Sequence, residues 1–276
     1  IEKFNSTHDN LQMIVLDDRT IPLRQRLELL TKNGLIGLAL VVVLLGFFLL
    51  RGAWLTLRHG FSPEGRKRLV EIRRRWYRRA LAISGVEVQY RGEPGPAPAL
   101  VLANHVSWLD IPVVGSALDV HFLSKSEVAR WPVLGFLARR NHTLFIQRGG
   151  HNTEQLSRQI AEALQQGERV VLFPEGTTTR GGEVRRFHPR LLAAAVDTGI
   201  PVQPVALDYG REPDGSAPRA SYSGDDVLLP HVWRLLCREK TRVTVHLLPL
   251  IPVAPGTTRR ELADTARAAI LRPLGL

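Results

Sequence analysis

Hydrophobic positions along the chain fall into three regimes. Residues 34–50, GLIGLALVVVLLGFFLL, are apolar on every side and uncharged between Lys32 and Arg51. As a helix these 17 residues extend about 25 Å, just under the roughly 30 Å of a bilayer core. Soluble helices are rarely apolar all round, so a membrane-embedded segment is expected over 34–58. It either spans or turns back as a hairpin near Arg51–Gly52, with Trp54 suited to the interface. A buried core helix is the competing account. The second regime, residues 65–83, has Leu69, Ile72, Trp76, Ala80 and Ile83 at spacings of three and four among arginines. This pattern predicts a basic amphipathic helix, either lying on anionic lipid or packed on the core by its apolar stripe.

From Val86 onward short β runs alternate with helical segments. Strands are expected at 86–90, 99–103, 120–124, 143–147, 169–173, 202–207 and 243–248. Helices are expected near 110–117, 131–140, 153–166, 188–198 and 258–271. Asn152 with Gln155 and Thr258 with Glu261 resemble capping boxes, and Gly167 and Gly199 suit helix ends. The alternation predicts an α/β fold, a mixed, mostly parallel sheet flanked by helices. The chain then divides into an arm (1–33), the membrane-embedded segment (34–58), an interfacial helix (59–83), the α/β domain (84–255) and a C-terminal helix (256–276). Residues 93–98 read as a stiff linker and 210–225 as a surface loop. The first residue is not Met, and the sole methionine is Met13. A native start at Met13, with residues 1–12 foreign to it, is therefore one expectation.

Composition narrows the class. Of 276 residues, 44% are hydrophobic and 23% charged, which excludes a disordered tail and a polytopic membrane protein. The single cysteine excludes an internal disulfide framework and a Cys-based zinc cluster. The net charge of +11 implies an anionic partner. Its location favours lipid: residues 51–79 hold ten basic residues against two acidic ones, beside the apolar run, whereas residues 1–33 hold five of each. Basic flanks face the cytoplasm, which places the α/β domain on the cytoplasmic side of the inner membrane. The Arg73–Arg79 cluster carries no recognised nucleic-acid motif and adjoins the apolar run, so nucleic acid is disfavoured.

The candidate chemistry begins at Asn104-His105-Val-Ser-Trp-Leu-Asp110, directly after the apolar run ALVLA. His105 at a strand end can act as general base, with Asp110 reaching back to fix its tautomer. A structural histidine at a strand end fits this motif equally. There is no Gly-x-Ser-x-Gly elbow and no Walker A loop, so the pair suits activation of a hydroxyl carried by the substrate. No H-E-x-x-H or Cys/His ligand spacing occurs, and neither metal nor cofactor is expected.

Four ordered blocks resemble the glycerolipid, or 1-acylglycerol-3-phosphate (lysophosphatidic acid), acyltransferases. They are NHVSWLDI (104–111), KSEVARWPVLG (125–135) with FIQR (145–148), FPEGTTTR (173–180) and IPVQPVAL (200–207). The resemblance implies that His105 deprotonates an acceptor hydroxyl while Asp110 orients it. It makes Arg148 the acceptor-phosphate ligand and adds Asn104, Glu175, Gly176 and Thr177 to the acceptor site. Arg180 becomes a further anion ligand, with Lys125 and Glu127 in the groove wall. Acyl-ACP or acyl-CoA is the implied donor. The implied acceptor is 1-acylglycerol-3-phosphate, giving phosphatidic acid. The third block departs from the common Glu-Gly-Thr-Arg-Ser-Arg by carrying Thr178 in place of the first Arg, and Phe187-His188-Pro189-Arg190 stands where Phe-Lys-x-Gly is common. Relatives acting on lyso-ornithine lipid resemble the Thr178 form, so that aminolipid is the alternative acceptor. A non-catalytic basic membrane-binding module and a hydrolase activating water with His105 are the readings from other classes.

Overall fold

The computed structural model describes residues 63–125, 129–130, 135, 143–146 and 153–276 except 213, 225, 238 and 239, together with the single residues 46, 50, 51, 54 and 58. The chain divides into two compact units, residues 1–47 and 48–276, and nearly all described residues belong to the second. The expected membrane-embedded segment, 34–58, lies almost wholly outside the described residues. Among those that are described, no helix is long and apolar enough to cross a membrane.

Seven strands form one sheet: β1 (Val86–Arg91), β2 (Ala99–Ala103), β3 (His121–Lys125), β4 (Leu144–Ile146), β5 (Arg169–Leu172), β6 (Val202–Asp208) and β7 (Thr241–Leu247). Their order is β1-β7-β6-β2-β5-β3-β4. Every neighbouring pair is parallel except β6 with β7, so the sheet is mixed and mostly parallel, as expected. The central strand β2, ALVLA, is fully buried along its length. A near-continuous apolar run is what a parallel strand covered on both faces requires. Val101 and Ala103 join one hydrophobic cluster, and Leu100 and Leu102 join another, as the two-residue period dictates.

Helices α1 (Pro63–Ile83), α2 (Asp110–Ala117) and α5 (Leu228–Leu236) contribute Leu81, Val113, Val114 and Leu235 to the first cluster. Helices α3 (Thr153–Gln165), α4 (Ala193–Thr198) and α6 (Arg259–Leu274) contribute Ile160, Leu164, Ala195, Leu262 and Ile270 to the second. The expected helix near 188–198 is a 3-10 turn, Pro189–Leu192, leading into α4. The Thr258–Glu261 capping box is present in full. The helix expected near 131–140, apart from residue 135, which is helical, and the Asn152 cap lie outside the described residues.

The docking of α1 corrects its sequence reading. The face turned to α2 carries Arg73, Arg74, Tyr77 and Leu81, roughly a third of a turn from the expected stripe. Tyr77 lies over Gly115, where any Cβ would meet its ring at 2.4 Å. Arg73 pairs with Asp119, and Arg74 donates to the Ala117 carbonyl at 2.9 Å, close to the negative end of α2. Leu81 is buried, whereas Ile83 is 38% exposed. The expected stripe of Leu69, Ile72, Trp76 and Ala80 is half-buried, and Arg75, Arg78 and Arg79 are exposed.

Candidate active site

Strand β2 is hydrogen-bonded in parallel to both β5 and β6, so three carboxyl ends open on one edge of the sheet. That edge is where α/β folds place their ligands. Asn104 follows β2 immediately. Its Nδ2 donates to the Leu207 carbonyl at 3.0 Å, and its Oδ1 accepts from the Leu207 N–H at 2.7 Å. Asn104 is buried, so it works as a clip between β2 and β6 and not as the substrate ligand expected from the motif.

The chain then wraps around the Asp110 carboxylate, which is 0% exposed. Oδ2 lies 2.7 Å from His105 Nδ1 and accepts from the N–H groups of Val106 at 2.7 Å and Ser107 at 2.9 Å. Oδ1 accepts from the Tyr209 hydroxyl at 2.6 Å. The ionised carboxylate accepts from both backbone N–H groups and the phenol, and the His105 Nδ1–H completes the set as a fourth donor. That assigns the Nδ1–H tautomer to His105 and leaves Nε2 with its lone pair. Nε2 has no hydrogen-bond partner among the described residues. The imidazole stacks on Phe173 with centroids 4.2 Å apart and planes 18° from parallel, which fixes the ring's plane. Its side chain is 21% exposed, so the ring is reachable.

The third block braces this loop from behind. Glu175 is buried, and its two oxygens accept from the N–H groups of His105 and Arg185, both at 2.8 Å. Burial pushes its carboxyl above the usual carboxylate range, opposed by those two bonds. The Thr179 N–H donates to the His105 carbonyl at 2.8 Å, and its buried hydroxyl shares its one proton between that carbonyl at 3.3 Å and the Glu183 carbonyl at 3.2 Å. Gly176 has φ +73°, and a Cβ there would stand 3.3 Å from the His188 ring, so glycine suits this turn on both counts. Thr177, Thr178, Thr179 and Arg180 line a cleft of about 840 Å³, shared with Glu183, Arg185, Ser223 and Asp226. Lys125 is the last residue of β3, whereas Glu127 and Arg148 lie outside the described residues. Strand β4 ends two residues before Arg148.

Sequence reasoning missed Tyr209, Phe173 and an anchor on α5. Tyr209 is the residue after β6, just past the fourth block, and could have been found as another strand end on the same edge. Burial, then the Asp110 charge, pushes its phenol well above the usual value, so it remains a donor. Trp108 donates from its indole to His231 Nδ1 at 3.2 Å, and His231 Nε2 bonds the Ser221 carbonyl at 2.9 Å. Both partners suit a neutral ring, and burial holds the His231 pKa below the usual value.

A family model described as Acyltransferase matches residues 86–208, from the first strand through β6. The chain is 42% identical over 251 residues to the lyso-ornithine lipid O-acyltransferase of Pseudomonas aeruginosa, covering 89% of this chain and 93% of that one. It is 36% identical over 213 residues to the 1-acyl-sn-glycerol-3-phosphate acyltransferase of Neisseria meningitidis, covering 76% and 82%. The crystal structure of PlsC, the 1-acyl-sn-glycerophosphate acyltransferase of Thermotoga maritima, shares the fold. Its TM-score is 0.66 at 20% identity, over 85% of this chain and 91% of that one. The fold is that of a mixed α/β domain, and the family model and these relatives show that the chain belongs to the acyltransferase family.

Two expectations follow from this geometry. Tyr209→Phe removes one donor from the buried Asp110 carboxylate and should lower kcat about tenfold with little change in KM, measured in steady-state acyl transfer. For His231 the sign runs from its lowered pKa: protonation favours the unfolded chain. Its contribution to stability is full above the ordinary histidine value of about 6.5 and is lost as pH falls below it. Thermal melts from pH 8 to 5 should show that loss in the wild type. The loss should be smaller in His231→Gln, whose amide can serve both neighbours without titrating.

Proposed function

We propose that this acyltransferase moves a fatty acyl group from a thioester, carried on acyl carrier protein or CoA, to the free hydroxyl of a lyso-lipid. The supporting observation is the 2.7 Å contact between His105 Nδ1 and a fully buried Asp110, which leaves Nε2 as base. Nε2 takes the proton as the acceptor oxygen bonds to the thioester carbonyl. The tetrahedral intermediate then breaks its C–S bond, and the departing thiolate recovers the proton from the imidazolium. Asp110 stabilises that imidazolium without accepting its proton. No cofactor enters the scheme beyond the thioester itself. The buried dyad argues against a binding module without catalysis, because a desolvated carboxylate needing four donors is costly to keep.

For the acceptor we favour lyso-ornithine lipid over 1-acylglycerol-3-phosphate. The relative from Pseudomonas aeruginosa aligns over 89% of the chain, and Thr178, which lines the cleft, stands where the resemblance to the glycerolipid acyltransferases implies an arginine. The relative from Neisseria meningitidis supports the phosphate acceptor as the second reading, with Arg148 as its ligand. The exposed Arg75, Arg78 and Arg79 beside the half-buried stripe of α1 fit an anionic lipid surface. That contact would hold the site at the cytoplasmic face of the inner membrane, where acceptor and product reside.

An acceptor screen with one labelled acyl thioester tests the reaction. Label should pass to lyso-ornithine lipid faster than to lysophosphatidic acid, and His105→Ala should cut transfer by about 10²- to 10⁴-fold. Thioester loss at full rate without any lyso-lipid would make the enzyme a hydrolase instead. Replacing Arg75, Arg78 and Arg79 together with Gln should weaken sedimentation with anionic vesicles while leaving the melting temperature in place. Wild-type binding should also fall as salt shortens the screening length from about 10 Å at 0.1 M to about 3 Å at 1 M.

A further inference from the structure

The cleft of about 840 Å³ has two walls. One is the 177–185 segment of the third block; the other is the turn carrying Ser223, Gly224 and Asp226. Each wall is tied by its backbone to the loop that carries the base. The Thr179 N–H donates to the His105 carbonyl at 2.8 Å, and the Tyr222 N–H donates to the Val106 carbonyl at 2.9 Å. A molecule held between these walls therefore rests on segments anchored to the loop that carries His105.

The charges on the walls are mixed. Arg180 and Arg185 stand with Glu183 and Asp226 in the same lining. A site made for a phosphate alone gains nothing from two carboxylates among its cations, because each repels the ligand. A headgroup carrying both an ammonium and a carboxylate fits both signs. Asp226 is the better placed acid. Its Oδ2 accepts from the Ser223 N–H at 2.9 Å, which fixes the side chain in the turn. That bond holds its carboxyl below the usual range, so it is anionic at neutral pH. Its Oδ1 faces Arg234 at 3.5 Å, longer than the 2.7–2.9 Å of a charge-assisted hydrogen bond. Arg234 is 58% exposed, and so loose a pair at the surface contributes little. An incoming ammonium can take that oxygen at small cost. Glu183 meets Arg185 at 3.6 Å in the same loose way. Arg180 has no ion-pair partner among the described residues.

We infer that Asp226 recognises the free ammonium of an aminolipid headgroup, with Arg180 taking its carboxylate, and so selects the acceptor. This rests on the lyso-lipid reading above and assigns the headgroup end of that site. The ammonium end of that selection lies on the Ser223–Asp226 turn just before α5, and the carboxylate end on Arg180, the last residue of the third block.

The test is the ratio of kcat/KM for lyso-ornithine lipid to that for lysophosphatidic acid, measured in wild type, Asp226→Asn and Glu183→Gln. Asparagine keeps an oxygen for the Ser223 N–H, so the turn survives while the charge is lost, and a melting curve verifies the fold. The ratio should fall about 10- to 100-fold in Asp226→Asn, through KM, and less in Glu183→Gln. N-acetylating the headgroup amine should cost the wild type a similar factor, and should cost Asp226→Asn almost nothing more, because one interaction is removed twice. An equal loss with both acceptors, or no change in ratio, overturns the assignment while leaving the acceptor reading intact. A wild type that turns over lysophosphatidic acid but ignores lyso-ornithine lipid overturns both.

Discussion

Burial of the Asp110 carboxylate is the constraint from which the rest of the site follows. A charge with no solvent contact is tolerated only when its lone pairs are met, and here four donors meet them. Two are consecutive backbone N–H groups, so the loop between β2 and α2 must curl around its own aspartate. A third is the Tyr209 phenol, which requires β6 to end at the height of that loop. The fourth is the imidazole, whose ring then has one tautomer and one accessible nitrogen. Placing Asp110 in the first turn of α2 adds the favourable end of the helix dipole to the same carboxylate. Ring tautomer, ring orientation and loop shape thus share one cause.

Two residues expected at the acceptor site, Asn104 and Glu175, act on the backbone, and Thr179 joins them. Asn104 clips β2 to β6, Glu175 holds the His105 N–H, and Thr179 holds the His105 carbonyl. With Tyr222 on the Val106 carbonyl, the loop is gripped from both sides of the sheet edge. A base that must reach a substrate hydroxyl within a few tenths of an ångström needs this kind of support, since positioning supplies much of the rate. The same grip links the cleft walls to the His105 loop, so the two share one frame.

The sheet was legible in the sequence because its strands are apolar runs bounded by glycine, proline and polar residues, and each expected strand is found within two residues at its ends. The dyad was legible because five residues of local chain join His105 to Asp110. Tyr209 was not, because 99 residues separate it from its partner and only the register of β6 on β2 brings them together. Helix α5 was hidden by its shortness and by Pro230, which reads as a breaker. The ring sits in the first turn, where an amide N–H has no helical partner to lose. On α1, periodicity found an apolar stripe but not the face that docks. That face is built on an aromatic ring over Gly115 and two arginines anchored at the end of α2, features that a count of apolar positions passes over.

The division between what is matched and what is not bears on specificity. The stretch matched to the acyltransferase family ends at residue 208, one residue before Tyr209 and well before the Ser223–Asp226 turn. The dyad and its braces lie inside that stretch, apart from the phenol. The opposite wall of the cleft lies outside it, held by Tyr222 on the Val106 carbonyl and by the Trp108–His231–Ser221 chain. On the proposed mechanism, chemistry and headgroup recognition can then vary separately: the transition state would need only the hydroxyl, the thioester and the base, whereas the headgroup would meet the charges of the later turn. An arginine at position 178 and a neutral residue at 226 would leave Glu183 as the one acid among three arginines and tilt the cleft towards phosphate. Threonine and aspartate make it a pocket of both signs. Because each isolated charge pair in a solvated cleft is worth little, the discrimination must come from the sum of attraction to one headgroup and repulsion of the other. Two positions on opposite walls are enough to supply both.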